Sequence, residues 1–164
     1  MEKKVIEDNA YELIRKYGGD ILASPTFRSL AKNKQHHHST TYAHLIQVTV
    51  LAIKFCREHR WKVDEKALVR AALLHDYYLY DWHDKSHRKK RHARRHAVYA
   101  ADNAERDFGL TPFERQLILY HMWPINPLHW PRHKEAWAIL WADKKATFRE
   151  LTKRLSTSDH YAKK

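Results

Sequence analysis

The chain has 164 residues, enough for one domain with a sizeable core. With 3 Gly, 5 Pro and 43% hydrophobic residues it points to a compact, mostly helical fold and against a β-sandwich or a disordered chain. A net charge of +12 predicts attraction to anions, whether nucleic acid, nucleotides or acidic surfaces. The single cysteine, Cys56, excludes an internal disulfide. It lies among Leu51, Ala52 and Phe55 and reads as a small buried thiol, not a nucleophile. An apolar run such as Val48 to Ile53, with Thr49 inside it, is too short to span a bilayer, and Met1-Glu2-Lys3-Lys4 leads straight into an amphipathic helix. No membrane association and a reducing, cytoplasmic setting are therefore the expectations.

Apolar spacing lays out a series of helices. Residues 2–17 carry Val5, Ile6, Ala10, Leu13, Ile14 and Tyr17, and Gly18-Gly19 is expected to stop this first helix. Ser24-Pro25 starts a short second one with Phe27 and Leu30. Ser39-Thr40-Thr41 supplies capping hydroxyls for a long helix to about His59, with His44, Val48, Leu51 and Phe55 on its inward stripe. Asp64 opens the next, whose stripe is Leu68, Ala71, Ala72 and His75. A polar and aromatic connection, Tyr77 to Arg91, shows no period. A helix from about Ala93 bears His96, Ala100, Ala104 and Phe108 and ends at Gly109. Thr111-Pro112-Phe113-Glu114 is a capping box opening a helix with Leu117, Ile118 and His121. Met122-Trp123-Pro124 breaks it, and Pro127 and Pro131 are expected to keep the chain extended as far as the last helix. That helix, about His133 to Leu155, sets Ala136, Ile139, Leu140, Asp143, Ala146 and Thr147 on one face. No strand-like alternation competes. The fold class is all-α, a single-domain helical bundle. Residues 1–35 read as N-terminal helices, 36–155 as the core of the domain and 156–164 as a disordered tail.

Chemistry enters through the polar residues on those buried stripes. An unpaired Asp143 on an apolar face would carry a desolvation cost of several kcal/mol, so it must be neutral, paired or ligated. An arginine from another helix could pair it. His44, His75 and His121, each taken alone, could be hydrogen-bonded core histidines. Together they place imidazoles and carboxylates on the inward faces of four helices, which a shared metal would explain economically.

The order His44, His75-Asp76, Asp143 resembles the HD superfamily of metal-dependent phosphohydrolases, all-helical domains defined by a His…His-Asp…Asp signature. The contexts Thr41-Tyr42-Ala43-His44-Leu45, Ala72-Leu73-Leu74-His75-Asp76 and Leu140-Trp141-Ala142-Asp143-Lys144 are similar too, over roughly residues 36–150. Arg95-His96 and His121-Met122-Trp123-Pro124 resemble the branch with a two-metal centre. Members that act as phosphodiesterases carry a glycine, and often a lysine, soon after the His-Asp pair. Here Tyr77-Tyr78-Leu79-Tyr80-Asp81-Trp82 stands instead, and no Gly-Tyr-Pro comes after His121, so a cyclic dinucleotide is not the expected substrate.

The resemblance implies hydrolysis of a phosphate ester or anhydride, with a small phosphorylated substrate, nucleotide-like, as partner. It implies one or two divalent transition metal ions (Fe, Mn, Co, Ni or Zn). His44, His75, Asp76 and Asp143 would hold the first; Asp76, His96 and His121 would hold the second, Asp76 bridging. Asp76 and His96 are the expected catalytic residues. His92, one turn from His96, could replace it as ligand. Arg91, Arg94 and Arg95, in the basic run His87 to His96, would face substrate phosphates; a solvated basic loop is the plainer reading. The aromatic segment from Tyr77, with Trp123 and Trp130, could stack a nucleobase or cap the core. Two alternatives stand beside the enzyme: a basic nucleic-acid-binding helical module, and a non-catalytic HD-fold interaction protein.

Overall fold

The computed structural model describes residues 2–36, 39–80 and 92–161, with side chains over 9–33, 39–80 and 95–152. The elements are α1 (Glu2–Ala23), α2 (Pro25–Ser29), a 3₁₀ turn (Leu30–Lys32), β1 (Lys34–His36), β2 (Ser39–Thr40), α3 (Thr41–Glu58), α4 (Glu65–Leu74), α5 (His92–Phe108), α6 (Pro112–Tyr120) and α7 (Lys134–Tyr161). It is an all-α bundle with one minimal antiparallel pair, β1–β2, that the hydropathy pattern does not announce. Two or three residues per strand are too few to show alternation; backbone pairing alone defines them. α7 runs on to Tyr161, into the segment expected as a tail.

Local rules account for most helix starts. Thr40 Oγ1 accepts from Ala43 N at 3.2 Å, Ser24 Oγ from Phe27 N at 3.3 Å and Asp64 Oδ1 from Ala67 N at 2.9 Å. The capping box at α6 is complete: Glu114 N donates to Thr111 Oγ1, and Thr111 N donates to Glu114 Oε2 at 2.7 Å. Gly109, at φ +61°, closes α5 in the left-handed conformation that glycine adopts without strain.

Two expectations are corrected. Gly18-Gly19 does not end the first helix, which continues to Ala23. Gly18 is a packing residue: a Cβ there would come within 2.3 Å of Leu73 Cδ1, so its lack of side chain lets α1 lie close on α4. Nor is the segment after His121 extended. It folds into successive turns, with Trp123 N donating to Tyr120 O, Asn126 N to Met122 O and His129 N to Asn126 O. Trp123, Trp130 and Trp137 then meet edge to face at 4.7–5.8 Å between centroids.

Helix α3 is the hub, packed on α7, α4 and α1, and α4 also meets α6. Leu45, Val48, Leu68, Leu73, Leu117 and Ile139 lie fully or almost fully buried between them. Arg70 of α4 ties the layers by ionic contacts: its guanidinium reaches Asp20 of α1, Glu114 of α6 and the Phe108 carbonyl of α5. Consequently the first turn of α3, the ends of α4 and α6, the start of α5 and the middle of α7 converge on one region.

A candidate metal centre

At that region lie six buried polar residues. His44 comes from the first turn of α3, His75 and Asp76 from the C-terminus of α4, His96 from the second turn of α5, His121 from the end of α6 and Asp143 from α7. All six sequence-designated positions are brought together. Asp143 Oδ1 lies 3.3 Å from His44 Nε2 and 3.9 Å from His75 Nε2. Asp76 faces two ways: its Oδ2 is 3.8 Å from His75 Nε2, while its Oδ1 is 3.4 Å from His96 Nε2 and 3.6 Å from His121 Nε2. His96 Nε2 and His121 Nε2 stand 3.1 Å apart. Among the described residues no arginine pairs with Asp143. Its neighbours are the two imidazoles, the Lys144 ammonium at 3.2 Å and the Thr147 hydroxyl.

The outward nitrogens fix which face of each ring looks in. His75 Nδ1 is 2.8 Å from the Ala72 carbonyl and His121 Nδ1 is 2.6 Å from the Ile118 carbonyl. A carbonyl only accepts, so in both rings Nδ1 carries the hydrogen and a neutral ring presents the Nε2 lone pair inward. His75 Nε2 is buried and has no hydrogen-bond partner among the described residues. A lone pair buried in that way, with carboxylate oxygens at 3.8 and 3.9 Å, is costly unless something electropositive sits between them.

Protonation agrees. Burial, with His75 beside it, pushes the His121 imidazole down to about 3, so it stays neutral at ordinary pH. Burial works against charge on Asp76 and Asp143, yet the surrounding histidines hold both carboxyls well below the usual carboxylate range. Burial also disfavours charge on His44, but hydrogen bonds to Asp143 and Glu150 outweigh it and hold its pKa up to about 10. The centre thus gathers ionised carboxylates and imidazoles around a shared middle.

Two sets of donors could hold an ion: His44, His75 and Asp143, and His75, Asp76 and His121, each within 4.8 Å of one another. Donors bound at about 2.0–2.2 Å to one ion stand roughly 3–3.5 Å apart, close to the separations seen here. The two sets share His75, a sharing the sequence assigns to Asp76. The hard-to-borderline N/O donor set suits a divalent transition metal. The residues fit the group.

The HD domain family model matches residues 41–154, from the start of α3 well into α7. The chain belongs to the HD domain family. No curated relative and no solved structure matches it. The match leaves α1 and α2 outside the HD domain proper, although both pack on it.

The phosphate-binding arginines have a mixed outcome. Arg91 and the side chains of Arg94 and His92 lie outside the described residues. Arg95 is exposed, with its guanidinium carbon 5.6 Å from the centroid of the Tyr99 ring. Tyr77 is a core residue, fully buried, stacked on Phe27 and donating its hydroxyl to Asp107; Tyr78 is buried beside His96. The aromatic segment therefore caps the core as far as Tyr78. Sequence reading passed over Lys144 and Glu150. Lys144 was visible as the residue after Asp143; Glu150 was hidden among Thr147, Phe148 and Arg149, though it falls seven residues after Asp143 and so on the same helical stripe.

Proposed function

We propose that this HD domain is a metal-dependent phosphohydrolase that cleaves a phosphate ester or anhydride of a nucleotide-like substrate. The observation that carries the reading is the convergence of inward Nε2 atoms from His44, His75, His96 and His121 on the carboxylates of Asp76 and Asp143. His44, His75 and Asp143 would hold one ion. Asp76, His96 and His121 would hold a second, with the two oxygens of Asp76 directed to the two halves. Bound there, divalent ions supply a water acidic enough to give hydroxide near neutrality and positive charge for phosphoryl oxygens.

The chain's own groups do the rest. The carbonyl of Ala72 and that of Ile118 orient two rings, so binding does not require them to reorganise. Asp76 Oδ1 and His96 Nε2 stand 3.4 Å apart and would face the reacting phosphate together. Lys144, half exposed at the rim, and the overall +12 charge draw in an anion. A cytoplasmic setting is consistent with this reading, and no described helix is long and apolar enough to cross a membrane.

A basic nucleic-acid module would account for the charge and leave six converging buried groups without a purpose. Elemental analysis of untagged protein and a panel of phosphorylated metabolites assayed with Mn or Co test the proposal. The expected result is about one or two ions per chain and hydrolysis of at least one nucleotide; a metal-poor chain that stays inert with both ions defeats it.

A further inference from the structure

Glu150 is a nearly buried carboxylate, 8% exposed, in the second half of α7, and the proposed chemistry gives it no work. It stands seven residues after Asp143, about 10 Å along the helix axis and on the same face. The two acids therefore bracket His44 from one helix. Asp143 Oδ1 lies 3.3 Å from Nε2 and Glu150 Oε1 lies 3.2 Å from Nδ1. Ser39 of β2 donates to the same Glu150 oxygen at 3.1 Å, so the β1–β2 pair fixes the carboxylate in place. His75 and His121 receive the corresponding support from backbone carbonyls of their own helices. His44 sits in the first turn of α3, after the β1–β2 pair, and its outward nitrogen meets a carboxylate brought from another helix.

We propose that Glu150 is the positioning residue for His44, holding the Nδ1–H tautomer and aiming Nε2 at the ion shared with Asp143. A carboxylate behind a ligating imidazole also makes the ring a stronger donor. The inference rests on the metal-centre reading. Ser39 and the β-pair acquire a role through it: they set where Glu150 stands, and Glu150 sets where His44 points.

The test uses the full chain, with Mn(II) titrated by calorimetry and Co(II) followed by its visible absorption. E150A should bind Mn(II) about 10–100-fold more weakly than the parent, the loss typical when an outer partner of a ligand is removed. E150Q keeps an acceptor oxygen without the charge, so it should bind within that interval and shift the Co(II) bands. A purely structural Glu150 would lower the melting temperature of both variants and leave affinity and Co(II) bands unchanged, and that result overturns the proposal. Should E150A fail to fold, E150Q decides it by the same two readouts. A parent chain that binds neither Mn(II) nor Co(II) defeats the metal-centre reading itself, which separates that failure from this one.

Discussion

Asp143 Oδ1 lies 3.3 Å from His44 Nε2 across the contact between α7 and α3, with both side chains almost wholly buried. Such a pair is poor evidence of stability by itself, because desolvation offsets the attraction; breaking it from one side is another matter. In chelator-treated protein, D143A should cost about 1–3 kcal/mol in denaturant unfolding, since it removes one of the two carboxylates that pair the buried His44 imidazole and leaves Nε2 without its acceptor. D143N, similar in shape, should fold better yet bind metal at least about 100-fold more weakly, beyond the usual loss for an outer partner. Parent-like metal content in D143N would remove Asp143 from the ligand set.

His121 separates one-ion from two-ion chemistry. Its Nε2 lies 3.6 Å from Asp76 Oδ1 and 3.1 Å from His96 Nε2, on the side of the cluster away from His44. H121A should lower metal content by about one ion per chain while sparing the site of His44 and Asp143. On the two-ion reading hydrolysis should fall steeply, because a second cation held there would neutralise charge on the phosphoryl oxygens. Elemental analysis of H121A beside the parent checks this: loss of all bound metal, with none left at His44 and Asp143, would mean a single shared ion.

Adjacent glycines in α1 should respond in opposite directions. Gly18 is buried, and a Cβ there meets Leu73 Cδ1 at 2.3 Å; Leu73 is itself fully buried and has little room to yield. G18A should therefore destabilise by about 1–3 kcal/mol through overpacking, less the gain in helix propensity. Gly19 is exposed, with nothing within 4 Å of such a Cβ, so G19A should stabilise by up to about 1 kcal/mol. Urea unfolding of the two variants gives the signs.

The same pair marks the boundary of what the sequence discloses. Helix starts at Thr40, Asp64 and Thr111 were legible because a cap is a contact three residues long. His44, His75, His121 and Asp143 were legible because each interrupts an apolar stripe, and polar groups on such stripes require partners. Gly18 was misread as a stop because its reason lies on α4, far along the chain. Glu150 was missed because its neighbours are polar and its partner, His44, belongs to another helix. The turns after His121 arise from backbone hydrogen bonds that no periodicity encodes.

Cys56 offers a check on the core. Burial, reinforced by the Glu135 carboxylate, pushes its thiol up to about 12, so the thiolate is scarce at neutral pH. It should react with a thiol reagent at pH 8 orders of magnitude more slowly in the native chain than in denaturant. Comparable rates in both states would mean that the α1–α3–α4 region opens readily, at odds with a residue 3% exposed.

His44 and His121 give stability opposite dependences on pH. His44 in metal-stripped protein has its pKa held up to about 10, against 6.5 for the ordinary imidazole. The folded state then binds a proton more tightly than the unfolded one, so this contribution is complete below 6.5 and is lost as pH rises through about 10. His121, pushed down to about 3, contributes above 6.5 and loses its share as pH falls towards 3. One proton is worth at most about 1.4 kcal/mol per pH unit. Unfolding of EDTA-treated protein should weaken from pH 6.5 to 10, and H44Q should flatten that slope relative to the parent. On the proposed ligand set, metal would replace the His44 proton, so the loaded protein should lack the alkaline slope and its metal affinity should rise with pH. Coincident slopes for H44Q and the parent would mean that His44 does not hold this proton between Asp143 and Glu150.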